Sequence, residues 1–167
     1  MGFTFVYATS TADDNRLQLV ATCPHITTKL YIMINVLISQ AAKDDLDKIW
    51  DVDEDSAAEI ETALEEISND RRLADGLSEI RFRNTGTPSF EVDAFQALWR
   101  TGLNILRLKF WDWTGGLVPY RVLYAYHPQA NTCYVLAVVQ RNFNYETSHP
   151  IVARVCDDYK RLGLPSY

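Results

Sequence analysis

Cysteine and histidine are scarce in this sequence, which contains three residues of each. Cys23, Cys133 and Cys156 are odd in number and widely spaced, which fits neither a disulfide framework nor a zinc-binding pattern. We expect them to be small buried hydrophobic residues. The three histidines share no metal-ligand spacing with one another or with a cysteine. The sequence therefore predicts neither a metal site nor a cofactor.

Long hydrophobic runs are missing as well. The longest apolar stretch near the start, residues 30–38, is too short to span a bilayer and is interrupted by Asn35. The first dozen residues contain no Lys or Arg, whereas a secretory signal begins with a basic segment. We therefore expect a cytoplasmic protein that does not engage a membrane.

Basic residues are too few to balance the acidic ones, since the net charge is −6 and the isoelectric point is near 5.0. Nucleic-acid-binding proteins are usually basic, so the average charge argues against that class. The charge is nevertheless uneven along the chain. Residues 33–100 contain 7 Lys or Arg and 16 Asp or Glu, whereas residues 101–167 contain 7 and 4. Any nucleic-acid interface is therefore expected in the C-terminal part.

The composition that remains is typical of a globular protein, with 47% hydrophobic and 23% charged residues. A length of 167 residues is enough for one domain, or for one domain with an extension. Residues 1–32 have no persistent helical or strand period, and we interpret them as an extension outside the core or a misassigned start before Met33. A second interpretation is that they add a strand or an arm to the sheet. Residues 33–167 form the predicted domain.

The first half of this domain predicts a strand and a helical hairpin. Residues 33–39 read as a buried strand that ends in a polar residue suited to capping a helix. Apolar residues at three- and four-residue steps predict a helix over residues 40–50 and a second one that begins at Asp55 or Ser56. Residues 71–90 are interpreted as an exposed hairpin, followed by a short strand from Phe90 and a helical turn over residues 95–99.

The second half predicts three consecutive antiparallel strands and a closing helix. Residues 103–111 alternate between apolar and polar side chains, residues 120–126 form the next strand, and residues 132–141 are strongly β-branched. Pro150 suits the first turn of a helix that ends at Gly163. The whole domain is thus predicted to be α+β.

Three segments of this half resemble the RelE/ParE toxin superfamily, in the family's order: residues 104–109 (NILRLK), 120–124 (YRVLY) and 134–141 (YVLAVVQR). In that family a strand with basic residues precedes a Tyr-Arg strand, and a third strand ends in a basic residue. The preceding strand and helical hairpin also fit, as does a C-terminal helix with Arg154 and an Asp-Tyr pair. The resemblance covers the chain from Met33 to its end.

What the resemblance implies is the toxin of a type II toxin–antitoxin system. Such a toxin of the RelE-like branch is an mRNA endonuclease that works without a metal, usually in the ribosomal A site, and inhibits translation. A cognate antitoxin protein silences it. Cleavage without a metal uses the ribose 2′-hydroxyl as nucleophile, so the site must remove its proton, neutralise charge on the phosphate and protonate the leaving 5′-oxygen. Arginine and lysine side chains suit much of this task.

The resemblance also assigns residues to these roles. Lys109 is the candidate base or phosphate contact, Arg121 would bind the scissile phosphate, and Arg141 matches the basic end of the third strand. The general acid stays open between an aromatic hydroxyl and a histidine. The RNA-binding candidates are Arg107, Trp111 and His149, and the catalytic candidates are Lys109, Arg121, Arg141 and Tyr145.

Each of these residues also has a structural interpretation. Arg107 and Lys109 could form the solvated side of an amphipathic strand, and Arg121 could pair with a carboxylate of the acidic helical hairpin. Trp111 is of a type that is more often part of a core. Arg154 is interpreted as ordinary helix surface.

Two other functions stay open at this point. A toxin of the ParE branch inhibits gyrase and does not cut RNA, and its fold is the same. A third possibility is an inactive member whose acidic hairpin packs against the basic face. The clustered cations favour the nuclease over the ParE branch, and lack of toxicity in cells would be the sign of an inactive member.

Overall fold

The computed structural model describes residues 33–143, 146 and 148–166. Residues 1–32, Cys23 among them, and Tyr145 lie outside the described residues, so the predictions made for them stay predictions. The described part is an α+β fold with one six-stranded sheet in the order β1-β6-β5-β4-β3-β2. Its strands are β1 (Asn35–Ile38), β2 (Arg83–Asn84), β3 (Ser89–Ala94), β4 (Ile105–Trp111), β5 (Leu117–His127) and β6 (Thr132–Gln140). Its helices are α1 (Gln40–Trp50), α2 (Glu54–Asn69), α3 (Arg71–Gly76), α4 (Gln96–Trp99) and α5 (Pro150–Arg161).

The sheet is larger than predicted and is mixed. The antiparallel β4, β5 and β6 match the predicted strands, although β5 begins three residues earlier than expected. β1 pairs in parallel with β6, and β2 and β3 extend the antiparallel part at the other edge. None of the helices within these residues is long and apolar enough to cross a membrane.

The predicted helical hairpin is confirmed. Ser39 caps α1, since its Oγ accepts a hydrogen bond from the backbone N–H of Ala42 at 3.2 Å. α2 begins one to two residues before the predicted start, because Asp53 is its N-cap and accepts from the N–H of Ser56 at 3.2 Å. The predicted apolar stripe of α2 is buried against the sheet: Ala57, Ile60, Ala63, Leu64 and Ile67.

The prediction of an exposed hairpin over residues 71–90 holds only for its last part, where β2 and β3 pair in antiparallel fashion around the exposed residues 85–87. The first part forms a helix instead. Asp70 accepts a hydrogen bond from the N–H of Leu73 at 3.1 Å and so starts the short helix α3, which buries Leu73 and Ala74. Residues 79–82 alternate between charged and apolar side chains but form no strand before β2 begins at Arg83. The reason is that Arg81 has a φ of 71°, which an extended strand does not allow. The strand predicted from Phe90 is confirmed as β3.

Both faces of the sheet bury apolar side chains. α1, α2 and α3 pack on one face, which we call the helix-covered face, over inward side chains that include Val92, Leu106, Leu108, Val122 and Val135. α5 packs on the opposite face, over a second and smaller cluster that includes Ile105, Leu123, Ala125, Leu136 and Val139. Tyr159 of α5 belongs to this second cluster.

An ion pair joins the two layers around the edge of the sheet. β1 pairs with β6 only as far as Val135, which leaves the backbone beyond it without a strand neighbour on that side. Asp45 of α1 fills this position, since it accepts the N–H of Val138 at 3.2 Å and is held by both terminal nitrogens of Arg154 from α5. The interpretation of Arg154 as ordinary helix surface is therefore wrong.

Candidate functional site

Five charged side chains lie on the α5 side of the sheet, on β3, β4 and β5. They alternate along each strand with residues of the helix-covered core, so they point away from α1, α2 and α3. The strand register places Glu91 opposite Lys109, Lys109 opposite Arg121, and Asp93 opposite Arg107. We call these five residues the charged face. Three of the predicted basic residues are thus brought together.

Carboxylates of β3 pair with two of these cations. Lys109 Nζ lies 3.3 Å from Glu91 Oε1 and 2.5 Å from Asp93 Oδ2. Arg107 Nη2 lies 3.5 Å from the same Asp93 oxygen. All four side chains are about one fifth to one quarter exposed, with values from 19% to 26%. The interpretation of Arg107 and Lys109 as a freely solvated strand side therefore does not describe them.

Asp93 is held in its ionised form by its neighbours. Burial alone would raise the pKa of this carboxyl, but the hydrogen bond and charge of Lys109, followed by the charges of Arg107 and Arg121, outweigh that effect. The net result is a pKa below the ordinary value of 3.8. The charged face therefore contains fixed negative charge at neutral pH as well as positive charge.

Arg121 belongs to a row of residues that stand opposite one another on β3, β4, β5 and β6. It stands opposite Lys109 of β4 on one side and Val139 of β6 on the other. The acidic helical hairpin packs on the opposite face of the sheet. The hypothesis of an acidic hairpin packed against the basic face is therefore wrong, and two carboxylates of β3, Glu91 and Asp93, lie on this face.

Arg141 extends the charged face at the end of β6. Its N–H donates a hydrogen bond to the carbonyl of Pro119 at 2.7 Å, which continues the ladder one residue past Gln140. Side chains alternate along a strand, so Arg141 is placed on the same side as Val139 and Arg121. Its side chain is exposed. Arg121, the predicted phosphate contact, and Arg141, the predicted basic end of its strand, are thus placed on the same side of the sheet on neighbouring segments.

Trp111 lies at the end of β4 and is partly exposed. The guanidinium carbon of Arg83, on β2, is 5.2 Å from the centroid of the Trp111 ring, within the range of a cation–π contact. The register places Arg83 opposite Glu91, so it continues the same cross-strand row. Sequence reasoning missed Arg83 because the segment around it was interpreted as an exposed hairpin.

A cleft of about 550 Å³ adjoins Trp111 and is bordered by α2. Its lining includes the carboxylates of Glu59, Glu66 and Asp112, next to the exposed Trp113. Burial raises the pKa of Glu59, and the charges of Asp112 and then Glu66 raise it further. This cleft is therefore lined by three carboxylates and one cation, Arg83.

His149 lies at the start of α5. Its Nδ1 accepts a hydrogen bond from the N–H of Ile151 at 3.3 Å, so the side chain caps the helix. Its ring meets that of Phe143 edge-on, with the ring centroids 4.4 Å apart. These contacts hold the imidazole at the beginning of the helix. The roles of His149 and Tyr145 as RNA contact and general acid stay predictions.

The residues that the structure describes include no group of three His, Cys, Asp or Glu side chains placed to hold a metal ion. No protein-family model, no curated protein and no solved structure matches this chain.

Proposed function

We propose that this protein is the toxin of a type II toxin–antitoxin system of the RelE-like branch, and that it cuts mRNA in the ribosomal A site without a metal. The observation that carries the proposal is the position of the predicted cations. Arg107, Lys109 and Arg121 lie on one side of adjacent strands, and Arg141 continues this side at the end of β6. A cation row of this kind suits a phosphodiester chain.

The arrangement divides the chemistry among these residues. The 2′-hydroxyl loses its proton as its oxygen attacks phosphorus, the bond to the 5′-oxygen breaks, and that oxygen takes up a proton, which leaves a 2′,3′-cyclic phosphate and a 5′-hydroxyl. Tyr145 and His149 remain the candidates for the proton donor. Arg121 and Arg141 would bind the phosphate and stabilise the negative charge that develops on it. Lys109 is hydrogen-bonded to two carboxylates, so we assign it to phosphate contact and not to proton removal.

The order of elements also supports the proposal. The resemblance to RelE-like toxins implies a strand, a helical hairpin, antiparallel strands and a closing helix. β1, α1, α2, β4, β5, β6 and α5 follow one another in that order. α3, β2, β3 and α4 are additional, and β3 contributes the carboxylates that face the cations.

A second function is favoured by one observation, the pairing of Arg107 and Lys109 with β3. These ion pairs neutralise cations that a nuclease would use to bind RNA. A ParE-like toxin that binds gyrase, or an inactive relative, would keep such pairs without loss. The two readings differ in whether cells that make the protein accumulate cut transcripts.

The test is to induce the full chain in bacteria and to measure growth and transcript 5′ ends together. We expect growth to stop and new 5′ ends to form inside translated messages. Arg121→Ala combined with Arg141→Ala should abolish both effects. Lys43→Ala, an exposed cation of α1, is the matched control and should change neither. Arrest without cuts would favour the gyrase target, and no arrest would favour an inactive relative.

A further inference from the structure

Glu91 and Asp93 are the only carboxylates among the five residues of the charged face, and both come from β3. We propose that these two residues determine the ligand specificity of the charged face, because they admit a chain of several phosphates and reject a single phosphate group. This inference rests on the proposed function, since it takes RNA as the ligand.

The position of β3 makes this competition permanent. Phe90, Val92 and Ala94 of β3 are buried in the helix-covered core, and the strand is hydrogen-bonded on both sides, to β2 and to β4. Glu91 and Asp93 alternate with these core residues, so the backbone fixes them beside the cations. The carboxylates therefore compete with an incoming phosphate at the high effective concentration of groups joined to one framework.

Glu91 is also placed between two cations. Arg83 of β2 stands opposite it on one side and Lys109 of β4 on the other. Asp93 is shared between Lys109 and Arg107. One phosphate that takes Lys109 must therefore displace contacts to two carboxylates while it gains one cation. A ligand with a single phosphate has little to offset this loss.

A single-stranded RNA can offset this loss, because several of its phosphates contact cations at the same time. Neighbouring strands lie about 4.8 Å apart, and Arg141 follows two residues after Val139, the residue opposite Arg121. Lys109, Arg121 and Arg141 therefore follow a path of about 13 Å. A single-stranded RNA can place successive phosphates along this path and releases a counterion at each contact. The exposed Arg141 offers such a chain an entry point that does not require displacing Glu91 or Asp93. The carboxylates therefore weaken the binding of a single phosphate but do not prevent the binding of a chain of several phosphates.

The experiment measures binding of fluorescent ligands to the purified full chain by anisotropy, at several salt concentrations. The probes are a 2′-O-methyl RNA of about twelve nucleotides, which has no free 2′-hydroxyl and cannot be cut by this chemistry, and a labelled nucleoside monophosphate. Glu91→Gln combined with Asp93→Asn is compared with the wild type. Glu54→Gln combined with Glu65→Gln is the control, because it changes the net charge equally at exposed positions of α2.

We expect the β3 double variant to bind the oligonucleotide about tenfold more tightly or better. Its plot of log affinity against log salt should be steeper by about 1.4, which corresponds to two added phosphate contacts at about 0.7 each for single strands. It should also gain binding to the monophosphate. The control should match the wild type. Glu91→Gln alone, which keeps Asp93 between its cations, should give about half the change in slope and serves if the double variant does not fold.

Equal affinity and slope in wild type and folded variants would overturn the inference. So would a wild type that already binds the monophosphate as tightly as the variant. If the wild type cuts transcripts in cells while the variants show no change, only the role of the carboxylates fails. If the variant gains RNA binding while the wild type neither arrests growth nor cuts, the carboxylate role stands and the nuclease function fails.

Discussion

The sheet face that carries α5 has two halves of different character. In one half, Ile105, Leu123 and Ala125 are fully buried in the cluster that contains α5. In the other half, Arg107 lies two residues after Ile105 on β4, and Arg121 lies two residues before Leu123 on β5. On their helix-covered side, β4 and β5 are mostly apolar. The requirement to form a strand therefore does not explain why these two positions carry charged residues.

The two halves of this face contribute differently to the stability of the protein. Placing charges on a strand surface costs free energy unless they are paired or solvated. The charged half meets this cost by ion pairs from β3 and by incomplete burial, whereas the α5-covered half avoids it with apolar side chains. Stability is therefore expected to depend on the α5-covered half, and activity on the charged half.

The largest expected effect contrasts Leu123→Ala with Arg121→Ala, two residues apart on β5. Leu123 is fully buried, and its truncation should lower the free energy of unfolding by about 2–5 kcal/mol. Arg121→Ala should lower it by less than about 1 kcal/mol and should abolish RNA cleavage. Urea unfolding of both variants makes the comparison. Equal losses of stability would mean that the two halves do not differ in this way.

A smaller loss is expected at the ion pair that attaches α5 to α1. Asp45→Ala leaves the N–H of Val138 and the guanidinium of Arg154 without this acceptor, which should lower the free energy of unfolding by about 2 kcal/mol. Asp45→Asn keeps an oxygen for Val138 and should cost less. Chemical denaturation measures both. If Asp45→Ala were neutral, the attachment of α5 would rest on the apolar cluster alone.

The smallest expected effect is a dependence of stability on pH in the charged half. The pKa of Asp93 is lower in the folded protein than its ordinary value of 3.8, so its ion pairs contribute stability above that value. This contribution is lost as the pH falls through the lower pKa of the folded state. Asp93→Asn should therefore flatten the fall in urea midpoint below about pH 4. An unchanged acid profile in Asp93→Asn would contradict this reading.

Much of the fold follows from local patterns in the sequence. The stripe of α2, the cap at Ser39 and the alternation of β4 each depend on residues close together in the chain, and the structure contains all three. The sequence also predicted that Arg107 and Lys109 share one side of a strand, which requires only the period of two.

The missed features depend on distant residues. The contact of Glu91 and Asp93 with Lys109 requires the register between β3 and β4, which no local pattern states. The pair between Asp45 and Arg154 joins residues 109 positions apart. The irregular backbone at Arg81 was also missed, because the period of side chains does not report φ.

RNA cleavage through the 2′-hydroxyl, supported by Arg121 and Arg141, is tested most directly in a translation reaction with one defined mRNA. The protein is added to ribosomes that translate this message, the cut site is mapped, and the same message is then made with a single 2′-deoxyribose on the 5′ side of that site. We predict cleavage of the first message to a 2′,3′-cyclic phosphate end, loss of cleavage in the second, and no cleavage of either by Arg121→Ala combined with Arg141→Ala. Cleavage that survives the missing 2′-hydroxyl, or that survives loss of both arginines, would contradict the account.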